Sequence, residues 1–166
     1  MENKFGSIIE IARFIAISSS HSYLKKIVFT TGVFDVPHIG HPRYLSAAKK
    51  FGDFLVVGVH SDSLVKKRKG KNRPIFPAHD RMEFLSYYSS VDFVLELKNQ
   101  EEVYNAIRFL NPYTLVVSET TEDVENNSQT MRTLFGDYTR IEVLGAQSSV
   151  HSTDFVKAME KVETLK

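Results

Sequence analysis

The sequence predicts a single-domain α/β fold built on a doubly wound parallel sheet of five strands. Three observations favour this fold class. Short β-rich apolar runs alternate with helical patterns, the runs lack the period-two alternation of half-exposed strands, and the chain has 166 residues. Strands without alternation are buried on both faces, so helices are expected to cover both sides of the sheet. A chain of this length buries about two-thirds of its unfolded surface in one core.

The elements follow in chain order. Strands are predicted at residues 27–31, 54–60, 93–96, 114–117 and 140–144. Helices are predicted near residues 42–51, 78–89, 101–109, 123–135 and 152–164. Before the first strand, apolar residues recur at helical spacing, namely Phe5, Ile8, Ile9, Ala12 and Ile15 or Ala16. Because Glu10 and Arg13 interrupt this run, we expect a short amphipathic helix packed on the domain or on a partner subunit, not a signal peptide.

The expected division is therefore an N-terminal helical extension over residues 1–25 and one main domain over residues 26–166.

Composition excludes several kinds of function. The chain has no cysteine, which rules out disulfides, cysteine-based zinc sites and thiol nucleophiles. A net charge of +1 indicates neither a nucleic-acid binder nor an acidic scaffold. No run approaches the ~20 apolar residues of a membrane span, so we expect no membrane partner. A cytoplasmic location is also expected, and the absence of cysteine is compatible with it.

The stretch "TTGVFDVPHIGHPRYL", residues 30–45, follows the first predicted strand. Pro42 is expected to be the first helical residue, which places the preceding residues at a helix N-terminus that favours an anion. Gly32 and Gly40 let the backbone approach a phosphate chain closely. His38 and His41 could donate hydrogen bonds to its oxygens. The alternative is a structural turn with surface histidines; a zinc site would need further ligands that no HExxH motif supplies.

Residues 66–74, "KKRKGKNRP", contain six basic residues in nine. One interpretation is a solvated basic loop, and a nucleic-acid patch is another. The remainder of the chain is net acidic and no aromatic residue interleaves with these charges, so nucleic acid is disfavoured. A polyphosphate clamp fits better, with Lys66, Lys69 and Lys71 neutralising phosphates and Gly70 letting the loop close.

Two further segments hold residues suited to phosphate. Arg81 lies in the first turns of a predicted helix, where it could pair with Asp80 or Glu83 or bind a phosphate group. "SSVHSTDFVKAM", residues 148–159, predicts a helix whose first amides are capped by Ser152 or Thr153. Those hydroxyls and amides could instead hold the outer phosphates of a nucleotide. The residues alone leave both alternatives open.

"GVFDVPHIGH" resembles the (G)xFDxxHxGH signature of the cytidylyltransferase-like nucleotidyltransferase family, and "VHSTDF" resembles its C-terminal "ISTTxI" segment. The resemblance extends from about residue 26 to residue 158. It includes "GD" at 52–53, "GVHSD" at 58–62, "KG" at 69–70, "RPI" at 73–75 and "RM" at 81–82. Within the family the chain resembles the adenylyltransferase domain of ADP-heptose synthesis. Ethanolamine-phosphate and glycerol-3-phosphate cytidylyltransferases share the same skeleton.

The resemblance implies a Rossmann-like sheet, often a homodimer, and attack of a substrate phosphate on the α-phosphate of ATP or CTP. Pyrophosphate would leave, with nucleotide-bound Mg²⁺ as the cofactor and no metal site on the protein. The implied catalytic residues are His38, His41, Lys69 and Arg81. The implied nucleotide-binding residues are Thr31, Gly32, Val33, Phe34, Asp35, Gly40, Ser152 and Thr153. Among these, Asp35 would shape the first-strand loop or help to place the nucleotide and substrate.

The chain departs from the heptose enzymes in two places. They end the fourth strand with "KGGDY", whereas this chain has "VVSETTEDV", an acidic run that includes Glu119. Carboxylates near a sugar phosphate would repel it unless Mg²⁺ or lysines intervene. In the C-terminal motif His151 replaces the first serine, and Ala146 stands where glycerol-phosphate enzymes have arginine. Active transfer to a small, heptose 1-phosphate-like acceptor is the leading hypothesis, and a catalytically silent nucleotide-binding module is the second.

Overall fold

The computed structural model describes residues 4–18, 25–119 and 124–149. These residues form five strands and six helices. The strands are β1 (Ile27–Gly32), β2 (Phe54–His60), β3 (Phe93–Leu97), β4 (Thr114–Ser118) and β5 (Arg140–Leu144). The helices are α1 (Ile8–Ser18), α2 (Gly40–Lys49), α3 (Asp62–Lys69), α4 (Ala78–Ser86), α5 (Gln100–Leu110) and α6 (Val124–Phe135).

The five strands form one parallel sheet in the order β3-β2-β1-β4-β5. The predicted fold class is thereby confirmed. The chain adds β2 and β3 on one side of β1 and then crosses to add β4 and β5 on the other. In the register of the central strands, Thr30 of β1 pairs with Val57 on one side and Val116 on the other. The strand order reverses between β1 and β4, where ligands bind in doubly wound sheets.

Helices cover both faces of the sheet, as the absence of alternation predicted. On one face α1, α5 and α6 pack over Phe29 and Leu115. On the other, α2 and α4 pack over Val28 and Leu55. Each fully buried side chain of this kind stabilises the fold by about 1.5–3 kcal/mol. Local signals fix the helix ends: the Asn99 side chain accepts a hydrogen bond from the Glu102 amide at the start of α5.

The predicted N-terminal helix is present as α1, although its buried face differs from the expected one. Ile11 and Ile15 are buried against the core, whereas Ile9 is exposed. Ahead of the helix, the Lys4 carbonyl accepts a hydrogen bond from the Val94 amide, and Phe5 forms an isolated parallel bridge with Val94. The N-terminal segment therefore packs on the main domain at the β3 edge.

Two predictions about local structure were wrong. The basic stretch was expected to be a loop, but Lys66–Lys69 form the last turn of α3. That helix begins because Ser61 accepts a hydrogen bond from the Leu64 amide, and cations are favoured at its carboxyl end. Pro42 was expected to be the first helical residue, but α2 begins at Gly40. Proline is tolerated there because the first-turn amides have no intrahelical acceptor.

The helix predicted over residues 152–164 lies outside the described residues. In the described part of the chain, no helix is long and apolar enough to cross a bilayer.

Candidate functional site

The carboxyl ends of β1, β2, β4 and β5 meet at one edge of the sheet, and the loops that follow them carry the predicted site residues. The loop after β1 has an unusual backbone. Phe34 and Val36 adopt φ angles of 51° and 48°, in the left-handed region that bulky residues rarely occupy. Strain of this kind costs about 1–3 kcal/mol per residue and persists only where the surroundings impose it. The loop after β1 is therefore held in a defined shape.

The four residues Thr31–Phe34 occupy the end of β1 and the start of this loop. The Phe34 ring is buried in the core and folds back over Gly32, where an added Cβ would lie 2.9 Å from Phe34 Cε2. Glycine is therefore required at position 32. The Val33 carbonyl accepts a hydrogen bond from Arg81, so it supports the loop and is not left for a ligand. Thr31 and Gly32 are half-buried.

His38 and His41 lie together at the start of α2, with ring centroids 4.0 Å apart. His38 Nδ1 accepts a hydrogen bond from the Gly40 amide at 3.1 Å, and the His38 carbonyl accepts one from the His41 amide. In the neutral ring this leaves the His38 proton on Nε2. Since Pro42 has no N–H, His38 already occupies the first amides of α2. An anion here would be met first by imidazoles, and by the Gly40 amide only if the His38 ring moves.

Gly40 is what permits the His38 ring to lie against the helix. A Cβ at position 40 would lie 2.7 Å from His38 Cε1 and 3.0 Å from the Cβ of Ser148. The first distance is too short for any side chain to be accommodated without displacing the ring. The second shows that the segment after β5 also packs against this turn.

His41 is half-buried, and its Nδ1 has no hydrogen-bond partner among the described residues. The edge of its ring contacts the Phe34 ring, with centroids 5.5 Å apart. Burial, and then the neighbouring His38 ring, lower the pKa of His41 to about 4, against a smaller opposing effect of Asp35. At neutral pH the ring is therefore uncharged and retains one unsatisfied nitrogen. Such a group can donate to an oxygen on which charge develops during a reaction.

Asp35 is buried and joins two loops. Its carboxylate accepts hydrogen bonds from the amides of Ile75 and Phe76 at 2.9 and 3.0 Å, and it pairs with Arg73 at 3.1 Å. Arg73 is also buried. In the described residues these contacts assign Asp35 to holding the loop after β1 against residues 73–76. Arg73 stands in the "RPI" motif, but its position in the sequence indicates no role for it.

Arg81 is buried and its guanidinium is directed at protein groups. It donates to the carbonyls of Phe76, Val33 and His60 at 2.8, 2.6 and 2.9 Å. It also donates to Asp62 at 2.7 Å. Neither of the ion pairs considered from the sequence, with Asp80 or Glu83, is formed by this residue. The structure gives Arg81 the role of joining four segments at the sheet edge, where sequence analysis predicted a phosphate ligand.

The loop after β5 closes the other flank of the histidine pair. Arg43 of α2 donates to the Gln147 carbonyl at 3.5 Å, and Glu119 accepts a hydrogen bond from the Ala146 amide. The Glu119 amide in turn donates to the Leu144 carbonyl at 2.9 Å. The first carboxylate of the unusual fourth-strand segment is therefore used to hold the segment after β5. His151, Ser152 and Thr153 lie outside the described residues.

The basic end of α3 lies beside β2 on the opposite flank. Lys69 is exposed at the last helical position, and Gly70 ends the helix with φ at 92°. His60, the last residue of β2, is only 7% exposed, and its Nδ1 has no partner among the described residues. Burial, and then the charges of Arg68, Arg81 and Lys69, lower its pKa to about 4. His60 was not predicted as a site residue, although it stands in the "GVHSD" motif.

Within residues 4–18, 25–119 and 124–149, no three histidine or carboxylate side chains gather into a group that could hold a metal ion. The edge of the sheet thus offers imidazoles, one short basic helix end and backbone amides. These groups bind anions by hydrogen bonding and charge.

Comparison with known proteins shows the family of the chain. The family model described as "Cytidylyltransferase-like" matches residues 29–158. The chain is 38% identical over 139 residues to the bifunctional protein HldE of Nitratiruptor sp., covering 82% of this chain and 26% of that protein. It is 36% identical over 143 residues to HldE of Sulfurimonas denitrificans, covering 85% and 26%. The chain therefore spans about a quarter of the length of these relatives.

Two solved structures share the fold. The lipopolysaccharide core biosynthesis protein from Thermoplasma volcanium superposes with a TM-score of 0.59 at 27% identity, covering 76% of this chain and 99% of that one. Pantoate-beta-alanine ligase from Francisella tularensis superposes with a TM-score of 0.62 at 16% identity, covering 94% and 76%. At that identity the second likeness concerns the fold alone.

Proposed function

Because this chain belongs to the cytidylyltransferase-like family of nucleotidyltransferases, we propose that it transfers a nucleoside monophosphate from ATP or CTP to a small phosphorylated acceptor. The likeness to HldE supports a heptose 1-phosphate-like acceptor and ATP. The observation that carries the proposal is the His38–His41 pair at the carboxyl end of β1, beside the point where the strand order reverses.

The proposed reaction needs no protein nucleophile. An oxygen of the acceptor phosphate, already anionic, forms a bond to the α-phosphorus, the bond to the bridging oxygen breaks, and pyrophosphate leaves with the electron pair. Such transfers depend on positioning and on stabilising charge at the phosphate oxygens. The triphosphate would enter as its Mg²⁺ complex, in which the ion offsets part of the phosphate charge.

His38 and His41 would act on the phosphate oxygens. His38 carries its proton on Nε2 because its Nδ1 accepts from Gly40, and neutral His41 has an unsatisfied nitrogen. The unsatisfied His41 nitrogen can hydrogen-bond a substrate without first losing a bond to a described residue. Removal of one preorganised donor of this kind lowers kcat by about 10²–10³-fold.

The test is a pyrophosphate-release screen that crosses ATP, CTP, GTP and UTP with heptose, glycerol, choline and ethanolamine phosphates. We expect turnover with at least one pair, and a loss of about 10²-fold or more in His41→Ala. The matched control is His79→Ala, since the His79 side chain is 84% exposed on α4. It should retain full activity and an unchanged Tm.

The screen also separates the alternatives. Turnover with glycerol, choline or ethanolamine phosphate and CTP would identify a cytidylyltransferase for that acceptor. Binding of a triphosphate by calorimetry without turnover on any acceptor would indicate a silent nucleotide-binding module. Failure of every triphosphate to bind with magnesium present would refute the proposal. A homodimer and a cytoplasmic location are also proposed, to be tested by light scattering and cell fractionation.

A further inference from the structure

His60 lies at the edge of the sheet that holds the histidine pair, but on the other flank of β1. In the parallel register of β1 and β2, Gly32 pairs with Val59, so His60 lies one residue beyond the last pair and level with the start of the loop after β1. Side chains alternate along a strand, which places His60 on the same face of β2 as Gly58. An added Cβ on Gly58 would lie 3.1 Å from Thr31 Cγ2, so Thr31 borders that face.

Two observations distinguish His60 from a histidine that merely fills the core. Its Nδ1 is buried and has no hydrogen-bond partner among the described residues, and the whole residue is only 7% exposed. An orphaned nitrogen of this kind costs about 1–3 kcal/mol relative to a hydrogen-bonded one. The strand end itself is fixed, because the His60 carbonyl accepts a hydrogen bond from Arg81. The ring is thus held in place while one of its polar atoms remains unsatisfied.

The surroundings of His60 are cationic. Arg68 and Lys69 at the end of α3, and Arg81 of α4, are close enough to oppose protonation of the ring. Arg81 donates to carbonyls and to Asp62, and Arg68 and Lys69 are exposed. A neutral imidazole Nδ1 can donate to a phosphate oxygen or accept from a hydroxyl. The flank therefore suits a ligand that carries both negative charge and hydroxyl groups.

The side of the histidine pair that faces β5 is built differently from the β2–α3 flank. There the segment after β5 packs on Gly40 and accepts a hydrogen bond from Arg43, which closes the histidine pair on that side. In-line displacement requires the attacking acceptor and the leaving pyrophosphate on opposite sides of the α-phosphate. The β2–α3 flank lies on the other side of β1 from that contact, which is the side of an in-line acceptor when pyrophosphate leaves towards β5.

We propose that His60 is an acceptor-binding residue whose Nδ1 hydrogen-bonds the phosphorylated sugar or alcohol that attacks the nucleotide. This inference rests on the nucleotidyltransferase function proposed above and adds the part of the site that recognises the second substrate. It assigns the β2–α3 flank to the acceptor and the His38–His41 pair to the nucleotide.

The test measures KM for each substrate separately in His60→Leu and His60→Asn, using the acceptor and triphosphate found active in the pyrophosphate-release screen. Leucine removes the polar atom and keeps the bulk, whereas asparagine places an amide close to the position of Nδ1. We expect His60→Leu to raise KM for the acceptor about tenfold, the effect of one lost hydrogen bond to a charged group, with KM for the triphosphate unchanged. His60→Asn should restore most of the affinity.

Thr114→Val is the matched control. Thr114 is also fully buried with an orphaned side-chain oxygen, but it begins β4 at the amino edge of the sheet. Its replacement should leave both KM values unchanged. An increase in KM for the triphosphate in His60→Leu, no increase for the acceptor, or no recovery in His60→Asn would overturn the assignment.

A second measurement detects acceptor binding without turnover. If no acceptor is turned over, the proposed function fails, and this measurement still tests the role of His60. The ¹⁵N resonances of the His60 ring, assigned by their loss in His60→Asn, are followed during titration with each of the four acceptor phosphates. Shifts of the His60 signals at saturable concentrations would support an acceptor site independently of catalysis. Absence of any shift with all four phosphates would overturn the inference.

Discussion

The Arg81 guanidinium and the His41 imidazole lie at the same edge of the sheet, and both stand in segments that resemble family motifs. Their hydrogen bonding differs. Arg81 donates to three carbonyls and one carboxylate, whereas His41 retains a buried nitrogen without a partner among the described residues. A buried polar group that is fully bonded within the protein stabilises the fold, and an unsatisfied one is available to a ligand. Asp35 resembles Arg81, because its carboxylate is hydrogen-bonded within the protein. His60 resembles His41, because its Nδ1 has no partner among the described residues.

Replacement of Arg81 tests whether this fully hydrogen-bonded group stabilises the fold. Of the variants considered, it should change the free energy of unfolding most. Arg81→Ala removes the buried guanidinium and leaves Asp62 and three carbonyls, that of His60 buried, without this donor. We expect the free energy of unfolding to fall by about 3–5 kcal/mol, measured by urea denaturation. For a domain of this size that corresponds to a Tm lower by about 10 °C.

Arg43→Ala is the control for Arg81→Ala, because Arg43 is exposed and, within the described residues, its guanidinium makes one long hydrogen bond, to the Gln147 carbonyl. Its effect on stability should stay within about 0.5 kcal/mol. If Arg81→Ala instead keeps its stability and loses affinity for the triphosphate, Arg81 is a phosphate ligand, as the sequence predicted.

The comparison explains which parts of the site could be predicted from sequence. The buried strands and the order of the elements could be predicted, because apolar periodicity depends on burial alone. The convergence of the loops followed from the parallel topology. Whether Asp35 or Arg81 faces a ligand could not be predicted. For Arg81 the answer depends on carbonyls 21 and 48 positions away in the chain, and for Asp35 on amides 40 and 41 positions away. The short helix α3 was missed because only Leu64 and Val65 of its eight residues are buried.

The two unsatisfied histidines should make stability depend on pH. Burial lowers the pKa of His41 and of His60 from 6.5 to about 4, so between these values the unfolded chain binds more protons than the folded one. Stability is therefore complete above pH 6.5 and is lost as the pH falls towards 4. Between pH 7 and pH 5 each histidine should remove about 2 kcal/mol from the free energy of unfolding.

The measurement is urea denaturation of the wild type and of the double variant His41→Gln, His60→Asn at both pH values. The double variant should lose about 4 kcal/mol less than the wild type between pH 7 and pH 5. His79→Gln, altered at an exposed histidine, should follow the wild type. Equal losses in all three proteins would mean that these histidines are not held neutral by the fold.

Gly40→Ala should separate the shape of the histidine pair from the stability of the fold. The added Cβ would displace the His38 ring from the Gly40 amide, since it would lie 2.7 Å from His38 Cε1. We expect turnover to fall about tenfold, equivalent to about 1.4 kcal/mol in the barrier. Unfolding should change by no more than about 1 kcal/mol, because alanine is the better helix former. The control is Gly145→Ala, whose Cβ would come no closer than 3.6 Å to Glu119; a similar loss there would exclude a specific effect on His38.

Lys69→Ala should have the smallest effect and tests whether exposed charge on the β2–α3 flank contributes to phosphate binding. Because Lys69 is exposed at the end of α3, its attraction for a polyanion is weakened by solvent, and we expect KM for a phosphorylated substrate to rise about threefold. The increase should shrink at higher salt, where the screening length falls below about 10 Å. Lys50→Ala removes an equally exposed lysine at the carboxyl end of α2, on the amino edge of the sheet, and should leave KM unchanged. An equal increase in both variants would show that only the net charge of the protein matters, and that the basic end of α3 is a solvated helix terminus with no part in the site.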